Sequence, residues 1–74
     1  MTYFKTKEFK VQPNEDLQEK LNEAIDEIGE KLGIEAHIVT ERITSVVLRE
    51  SFPVDPSVPD INHVEVWVIF IKEN

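Results

Sequence analysis

The chain has 74 residues, a formal net charge of −7 and no cysteine, which predicts one domain with a small core and no disulfide or thiolate metal site. The acidic balance argues against nucleic acid and anionic membrane as partners, because Lys and Arg supply the contacts to phosphate. No stretch approaches the ~20 apolar residues that cross a bilayer, and no signal peptide is recognisable, so we expect a soluble cytoplasmic protein.

The first predicted element is a strand over residues 2–11, where polar and apolar residues alternate imperfectly. Its three lysines are typical of an edge strand, because charged side chains discourage pairing with stray chains. These lysines are Lys5, Lys7 and Lys10. Pro13 cannot continue a strand ladder and therefore ends the element.

A single helix is predicted next, beginning after Asn14, which is the expected N-cap. Its apolar residues recur at the 3.6-residue spacing of one helix face. They are Leu17, Leu21, Ala24, Ile25, Ile28 and Leu32. Gly33 is expected to end the helix in the left-handed conformation. The strongly acidic opposite face is interpreted as solvated surface rather than a cation site.

Residues 35–52 are rich in Ile, Val and Thr, which favours a long second strand. Ala36, Val39, Ile43 and Val46 also fit a helical spacing, so a bent or partly helical segment is the alternative. A change in the phase of the apolar residues predicts a bulge or bend within residues 40–42. Residues 52–62 contain Pro53, Pro56 and Pro59 and are predicted to be a stiff connection.

The third strand is predicted over residues 63–71, which are almost all β-branched or aromatic. Strand alternation makes both of its faces apolar. A hairpin centred on Ser57 pairs residues whose numbers add to about 114, so that Val47 faces Trp67. The helix is then expected to cover the face formed by Val46, Leu48, Val64, Val66, Val68 and Phe70. The second apolar face comprises Ile43, Val47, Trp67, Ile69 and Ile71.

The predicted fold is therefore α+β in the order β-α-β-β, with one amphipathic helix packed on a three-stranded, mainly antiparallel sheet in a single domain, residues 1–74. One short helix cannot cover two apolar faces of a sheet. We therefore expect the chain to form a homo-oligomer, or to bind another protein, through the second apolar face. Its role would be structural or regulatory.

Catalytic chemistry has little support in the sequence. His37 and His63 are the only histidines, and each has a glutamate two residues away, Glu35 and Glu65. The predicted register separates the two histidines, which argues against a joint zinc or general-base site within one subunit and favours two ordinary surface or edge histidines. We predict no catalytic residue, no metal ligand and no cofactor.

Trp67 is interpreted first as a core or interface aromatic and second as a flat surface for a planar ligand. The strand–helix–strand–strand order and the length resemble the dodecins, small proteins that form hollow dodecamers and store flavin between stacked tryptophans. The resemblance implies a homo-oligomer that binds or stores a planar small molecule, with Trp67 as the stacking candidate. In dodecins the stacking aromatic belongs to the second strand, whereas Trp67 belongs to the third.

Overall fold

The computed structural model describes residues 3–73, so Thr2, which the predicted first strand includes, lies outside the described residues. The elements along the chain are β1 (Tyr3–Val11), α1 (Leu17–Leu32), α2 (Ala36–Arg42), β2 (Ile43–Pro53) and β3 (His63–Glu73). The prediction of a small α+β fold with a three-stranded antiparallel sheet is confirmed. The order differs from the prediction, because a second helix lies between α1 and β2.

The third strand lies at the centre of the sheet. The strand order is β1-β3-β2, and β3 is antiparallel to both neighbours. β1 and β2 are therefore parallel to each other on the two edges, and the α1–α2 segment carries the chain from one edge to the other. The densest run of β-branched residues thus occupies the central position, which is hydrogen-bonded on both sides.

Helix α1 forms as its apolar stripe predicts. Ala24 and Ile28 are buried, and the stripe residues Leu21, Ile25 and Leu32 pack against the same core. Gly33 has φ 70° and donates its N–H to the Gly29 carbonyl, and Ile34 N–H reaches the same oxygen at 3.0 Å. The predicted left-handed end of the helix is thus confirmed.

The beginning of α1 differs from the prediction. The N-cap is Asp16, not Asn14. The residues before it form a turn in which Glu15 N–H bonds the Gln12 carbonyl at 3.0 Å, while the Glu15 carboxylate accepts the Gln12 N–H at 2.8 Å. This turn uses the polar groups of residues 12–15, so the helix begins two residues later.

Helix α2 replaces the beginning of the long second strand that the sequence predicts. It is stabilised by tertiary burial, because Val39 is fully enclosed and packs with Ala24, Ile28 and Ile69. Such burial outweighs the weak helix propensity of its β-branched residues. Gly29 permits the close approach of α2 to α1, since a Cβ there would lie 2.8 Å from the Ile34 carbonyl oxygen. The predicted bend over residues 40–42 is the end of this helix.

The predicted hairpin register and the predicted assignment of the two faces are wrong. β2 contains two irregularities, between Ile43 and Ser45 and between Leu48 and Glu50, so that Leu48 faces Trp67 while Val47 faces Val68. The helices cover the face that carries Ile69 and Ile71, which are 0% and 4% exposed. Alternation alone could not decide this, because both faces of β3 are apolar.

The helix-free face of the sheet therefore carries the β3 residues that were expected under the helix, whereas Val46 and Leu48 of β2 lie on the helix-covered face, as predicted. We call helix-free the face that bears Val64, Val66, Val68 and Phe70 from β3, with Val47 and Phe52 beside them. Of the predicted second-face residues, Ile69 and Ile71 form the subunit's own core and Ile43 packs against it, while Val47 lies on the opposite side.

Candidate functional site

The helix-free face has an apolar floor and a charged rim. Val64, Val66 and Val68 are already 7%, 1% and 9% exposed within one subunit. Residues directly opposite in a sheet share a face, which places Lys10 and Glu50 on either side of Val66. Long charged side chains beside the valines account for their low exposure, because the stems of such side chains cover apolar surface.

An ion pair joins the two edges of the sheet across β3. Arg49 Nη1 of β2 lies 2.9 Å from Glu8 Oε1 of β1. Glu8 faces Val68, so this pair crosses the helix-free face. Both side chains remain about half exposed, 61% for Arg49 and 48% for Glu8.

The outer edge of β2 is apolar and open. Within residues 3–73, β2 pairs only with β3, so the backbone groups on its outer side are available for a further strand. Val47 is 43% exposed and Leu48 is 47% exposed, and being adjacent they point to opposite faces of the sheet. A new strand at this edge would find an apolar neighbour on each face.

The connection between β2 and β3 is built from turns. The Asp55 carboxylate accepts the Ser57 N–H at 3.0 Å and the Ser57 hydroxyl at 2.7 Å, and these bonds hold the pKa of Asp55 below its usual value. His63 Nε2 lies 2.6 Å from the Pro59 carbonyl oxygen, and His63 Nδ1 lies 3.2 Å from Ser51 Oγ. A carbonyl oxygen only accepts, so Nε2 carries the hydrogen. His63 thus attaches the connection to β2.

The two histidines lie at opposite ends of the structure. His63 begins β3 and faces Pro53, whereas α2, which carries His37, leads directly into Ile43 opposite Ile71. His37 Nδ1 lies 3.1 Å from Glu35 Oε2, with both side chains exposed. In the described part of the chain, no group of three or more His, Asp or Glu side chains is placed to hold a metal ion.

Trp67 lies half-buried on the helix-covered face, between Phe9 of β1 and Leu48 of β2. Its indole Nε1 donates to Glu65 Oε1 at 3.2 Å. Glu65 is the glutamate that the sequence analysis noted two residues from His63. Its carboxylate accepts a hydrogen bond from Trp67. The partly accessible ring adjoins the exposed Leu48, so it borders the open edge of β2.

The acidic face of α1 is a solvated surface crossed by ion pairs. Lys20 Nζ lies 2.7 Å from Glu15 Oε2 and 3.3 Å from Glu23 Oε2. The hydrogen bond from Lys20, followed by the bond from the Gln12 N–H, lowers the pKa of Glu15, and the same contact with Glu15 raises the pKa of Lys20.

A cavity of about 240 Å³ opens between β1, the C-terminal half of α1, the end of α2 and β3. Its floor is apolar and contains Ile28, Leu32 and Ile71. Five cationic side chains line it: Lys5, Lys7, Lys31, Arg42 and Lys72. The sequence analysis did not find this cluster, because its members come from four elements. One signal was available, the basic residues Lys31 and Arg42 in the last turns of the two helices.

Comparison with protein families, curated proteins and solved structures finds no family model, protein or structure that matches the chain. Neither α1 nor α2 is long and apolar enough to span a bilayer. The second helix also departs from the strand–helix–strand–strand order on which the resemblance to the dodecins rests.

Proposed function

We propose that the protein is a small non-catalytic module that self-associates, in a structural or regulatory role, and that its subunits join through the outer edge of β2. The observation that carries the proposal is the pair of adjacent exposed side chains on that edge strand, Val47 and Leu48. An apolar stretch of an edge strand is a template for pairing with another strand unless it is blocked, and residues 45–48 form such a stretch between the two irregularities of β2.

An edge-to-edge contact is favoured over a contact between two helix-free faces. Packing two such faces together would take Glu8, Lys10, Arg49 and Glu50 out of water, and desolvating charges costs several kcal/mol per ion before any pairing is regained. The valines of the floor would add little in return, because they are already buried within one subunit. Pairing at the edge leaves these charges solvated.

The sequence of β2 favours a two-fold pairing centred on Val47. Residues directly opposite in an antiparallel pair lie on the same face, so a symmetric pair of strands is centred on a residue. Centring on Val47 places Val46 opposite Leu48 of the second copy. Centring on Arg49 or Glu50 would place like charges opposite each other, which is destabilising. Residues 45–48 are also the longest regular run of β2 around this position.

The interface should be weak, because one strand edge lies at the low end of the areas that proteins bury on association. We therefore expect a monomer–dimer equilibrium in the micromolar range, about −8 kcal/mol at 1 M standard state. The measurement is light scattering after size exclusion, with loading concentrations spanning about a hundredfold around that value. The mass should rise toward two subunits as concentration increases.

The variant that tests the edge is Val47→Lys, which places a charge at the proposed two-fold axis. Its matched control is Val54→Lys, the same change at a valine that is 56% exposed but lies beyond the end of β2. We expect Val47→Lys to remain a monomer and Val54→Lys to associate as the unchanged protein does. A constant one-subunit mass for the unchanged protein would refute the proposal, as would equal effects of the two variants.

The alternative function, suggested by the resemblance to the dodecins, is binding or storage of a planar small molecule against Trp67. The partly accessible ring beside Leu48 is the feature that favours it. Flavin titration of the purified protein tests it, because a stacked flavin quenches tryptophan fluorescence. The titration is read from the emission of the flavin, which a stacked indole also quenches, because Trp67 is the one tryptophan of the sequence and Trp67→Leu has no tryptophan emission. Saturable quenching of the flavin that persists in Val54→Lys and disappears in Trp67→Leu supports the alternative. Absence of saturable quenching rejects it without affecting the association proposal.

A further inference from the structure

We propose that the cavity between β1, α1, α2 and β3 binds a small amphipathic anion, with its apolar body on the Ile28, Leu32 and Ile71 floor and its carboxylate among the surrounding cations. Neither the association through β2 nor the planar-ligand alternative includes this site. No residue of β2 lines the cavity, so binding does not depend on association.

The charge at the cavity contrasts with the charge of the chain. The protein has eight Lys and Arg against fifteen Asp and Glu. Five of those eight cations line this one cavity together with a single carboxylate, Glu27. Because most of the protein's cationic side chains surround one concave site, the local electrostatic field there attracts anions, even though the protein is acidic.

Among residues 3–73, the ion pairs around the cavity leave Lys31 and Arg42 without a carboxylate partner. Lys7 pairs with Glu27 at 2.8 Å, and that contact lowers the pKa of Glu27. Within residues 3–73, Lys31 and Arg42 form no ion pair. They come from different helices and meet only because α2 folds back against α1. Both remain available to a ligand carboxylate, and Arg42 can bind one through two parallel hydrogen bonds.

The C-terminal ends of α1 and α2 oppose anion binding. Each helix end carries about half a negative charge, and this effect falls off within one turn. Glu27 adds one further negative charge on the β1 side of the cavity. Without Lys5, the other four cations of the lining still outnumber these contributions, so the balance at the cavity remains positive.

The size and lining of the cavity select the class of ligand. Its volume of about 240 Å³ is below the ~300–1,000 Å³ of sites for drug-sized molecules and above the ~150 Å³ that holds benzene. A floor that contains two buried isoleucines, Ile28 at 6% and Ile71 at 4% exposed, favours hydrocarbon over a sugar or nucleotide. A medium-chain or aryl carboxylate satisfies both conditions.

A ligand series tests the proposal by isothermal titration calorimetry on the full chain. Octanoate is the probe, acetate has the same head group without the apolar body, and octylammonium has the same body with the opposite charge. We expect saturable binding of octanoate only. Between butanoate and octanoate the dissociation constant should fall up to about fourfold for each CH₂ group, until the cavity is filled.

Charge-removing variants locate the site. Lys31→Gln and Arg42→Gln should each weaken octanoate binding severalfold, and salt should weaken binding to the unchanged protein. Lys20→Gln removes the same charge from α1 outside the cavity and should leave the affinity unchanged. Circular dichroism and thermal unfolding show whether each variant keeps its fold. The chemical shifts of Ile28 and Ile71 in the unchanged protein show whether octanoate binds in the cavity.

Three results would overturn the proposal. The absence of saturable heat and of any shift at Ile28 or Ile71, with octanoate at millimolar concentration and below its micelle-forming range, would show that the cavity does not bind it. Octylammonium binding as tightly as octanoate would show that the cations have no role. Equal affinities in Lys20→Gln and Arg42→Gln would place binding elsewhere on the protein.

Discussion

The two edges of the sheet differ in chemistry although both strands pair with the same central strand. β1 presents Lys5, Lys7 and Lys10 along its length. β2 presents Val46, Val47 and Leu48 in succession, followed by the ion-paired Arg49 and by Glu50. Lysines on an edge prevent a further strand from pairing, whereas an apolar edge permits it. In the proposed association, the sheet is therefore extended on the β2 side and not on the β1 side.

This difference matters because a sheet with two open edges forms chains of unlimited length, while a sheet with one open edge stops at a closed dimer. The lysines of β1 thus have two effects. In the proposed association, Lys10 blocks the edge. Lys5 and Lys7 supply part of the positive charge at the cavity. Substitutions at the two edges and at the centre of the sheet test this difference, and the largest effect is expected at the centre.

Ile69→Ala and Leu48→Ala compare the centre of the sheet with its β2 edge on the same face. Ile69 is fully buried under both helices, so its truncation should lower the free energy of unfolding by about 2–5 kcal/mol. Leu48 is 47% exposed, so its truncation should cost less than about 1 kcal/mol in the monomer. Urea unfolding, at a protein concentration too low for association, measures the free energy of unfolding of both variants. Similar costs would show that Leu48 belongs to the subunit's core and not to an open edge.

Lys10→Val opens the β1 edge. Valine is the better strand residue by up to about 1 kcal/mol, so the variant should unfold at slightly higher urea concentration and should form particles larger than a dimer. Light scattering measures the mass. The control is Lys10→Glu, which keeps a charge at the edge and should not extend the assembly. A Lys10→Val protein that stops at the same mass as the unchanged protein would show that Lys10 does not block the edge.

Arg49→Ala breaks the ion pair that joins the two edges across β3. Its partner Glu8 and Arg49 itself are about half exposed, so the free energy of unfolding should fall by only about 0.2–1 kcal/mol, and less at high salt. A double-mutant cycle with Glu8→Ala isolates the coupling between the two side chains. A coupling of zero would mean that the edges are connected through β3 alone.

The parts of the fold that could be predicted are those whose signals are local. The apolar stripe and Gly33 predicted α1, and the β-branched run over residues 63–71 predicted β3. α2 was predicted only as the alternative to a long strand, because Val39 and its neighbours favour a strand locally and become helical when Val39 is buried against Ile69. The hairpin register was missed because each irregularity of β2 shifts the pairing, and the sequence carries no sign of where they occur.

The surfaces of the protein were also predicted only as far as local signals allow. The sequence indicated that β3 had more apolar surface than one helix could cover, but it assigned the helix to the wrong face. The cavity could not be predicted, since its cations are brought together only by the packing of β1, both helices and β3.

By itself, the amino-acid sequence determined that this chain forms an acidic α+β domain with a long amphipathic helix and a final strand that is apolar on both faces. These properties depend on residues close together in the chain, where periodicity and turn chemistry act. The tertiary structure alone decided which face the helices cover, which edge stays open and where five cations meet. Those choices depend on pairings between residues far apart in the chain, for which local patterns offer equal alternatives.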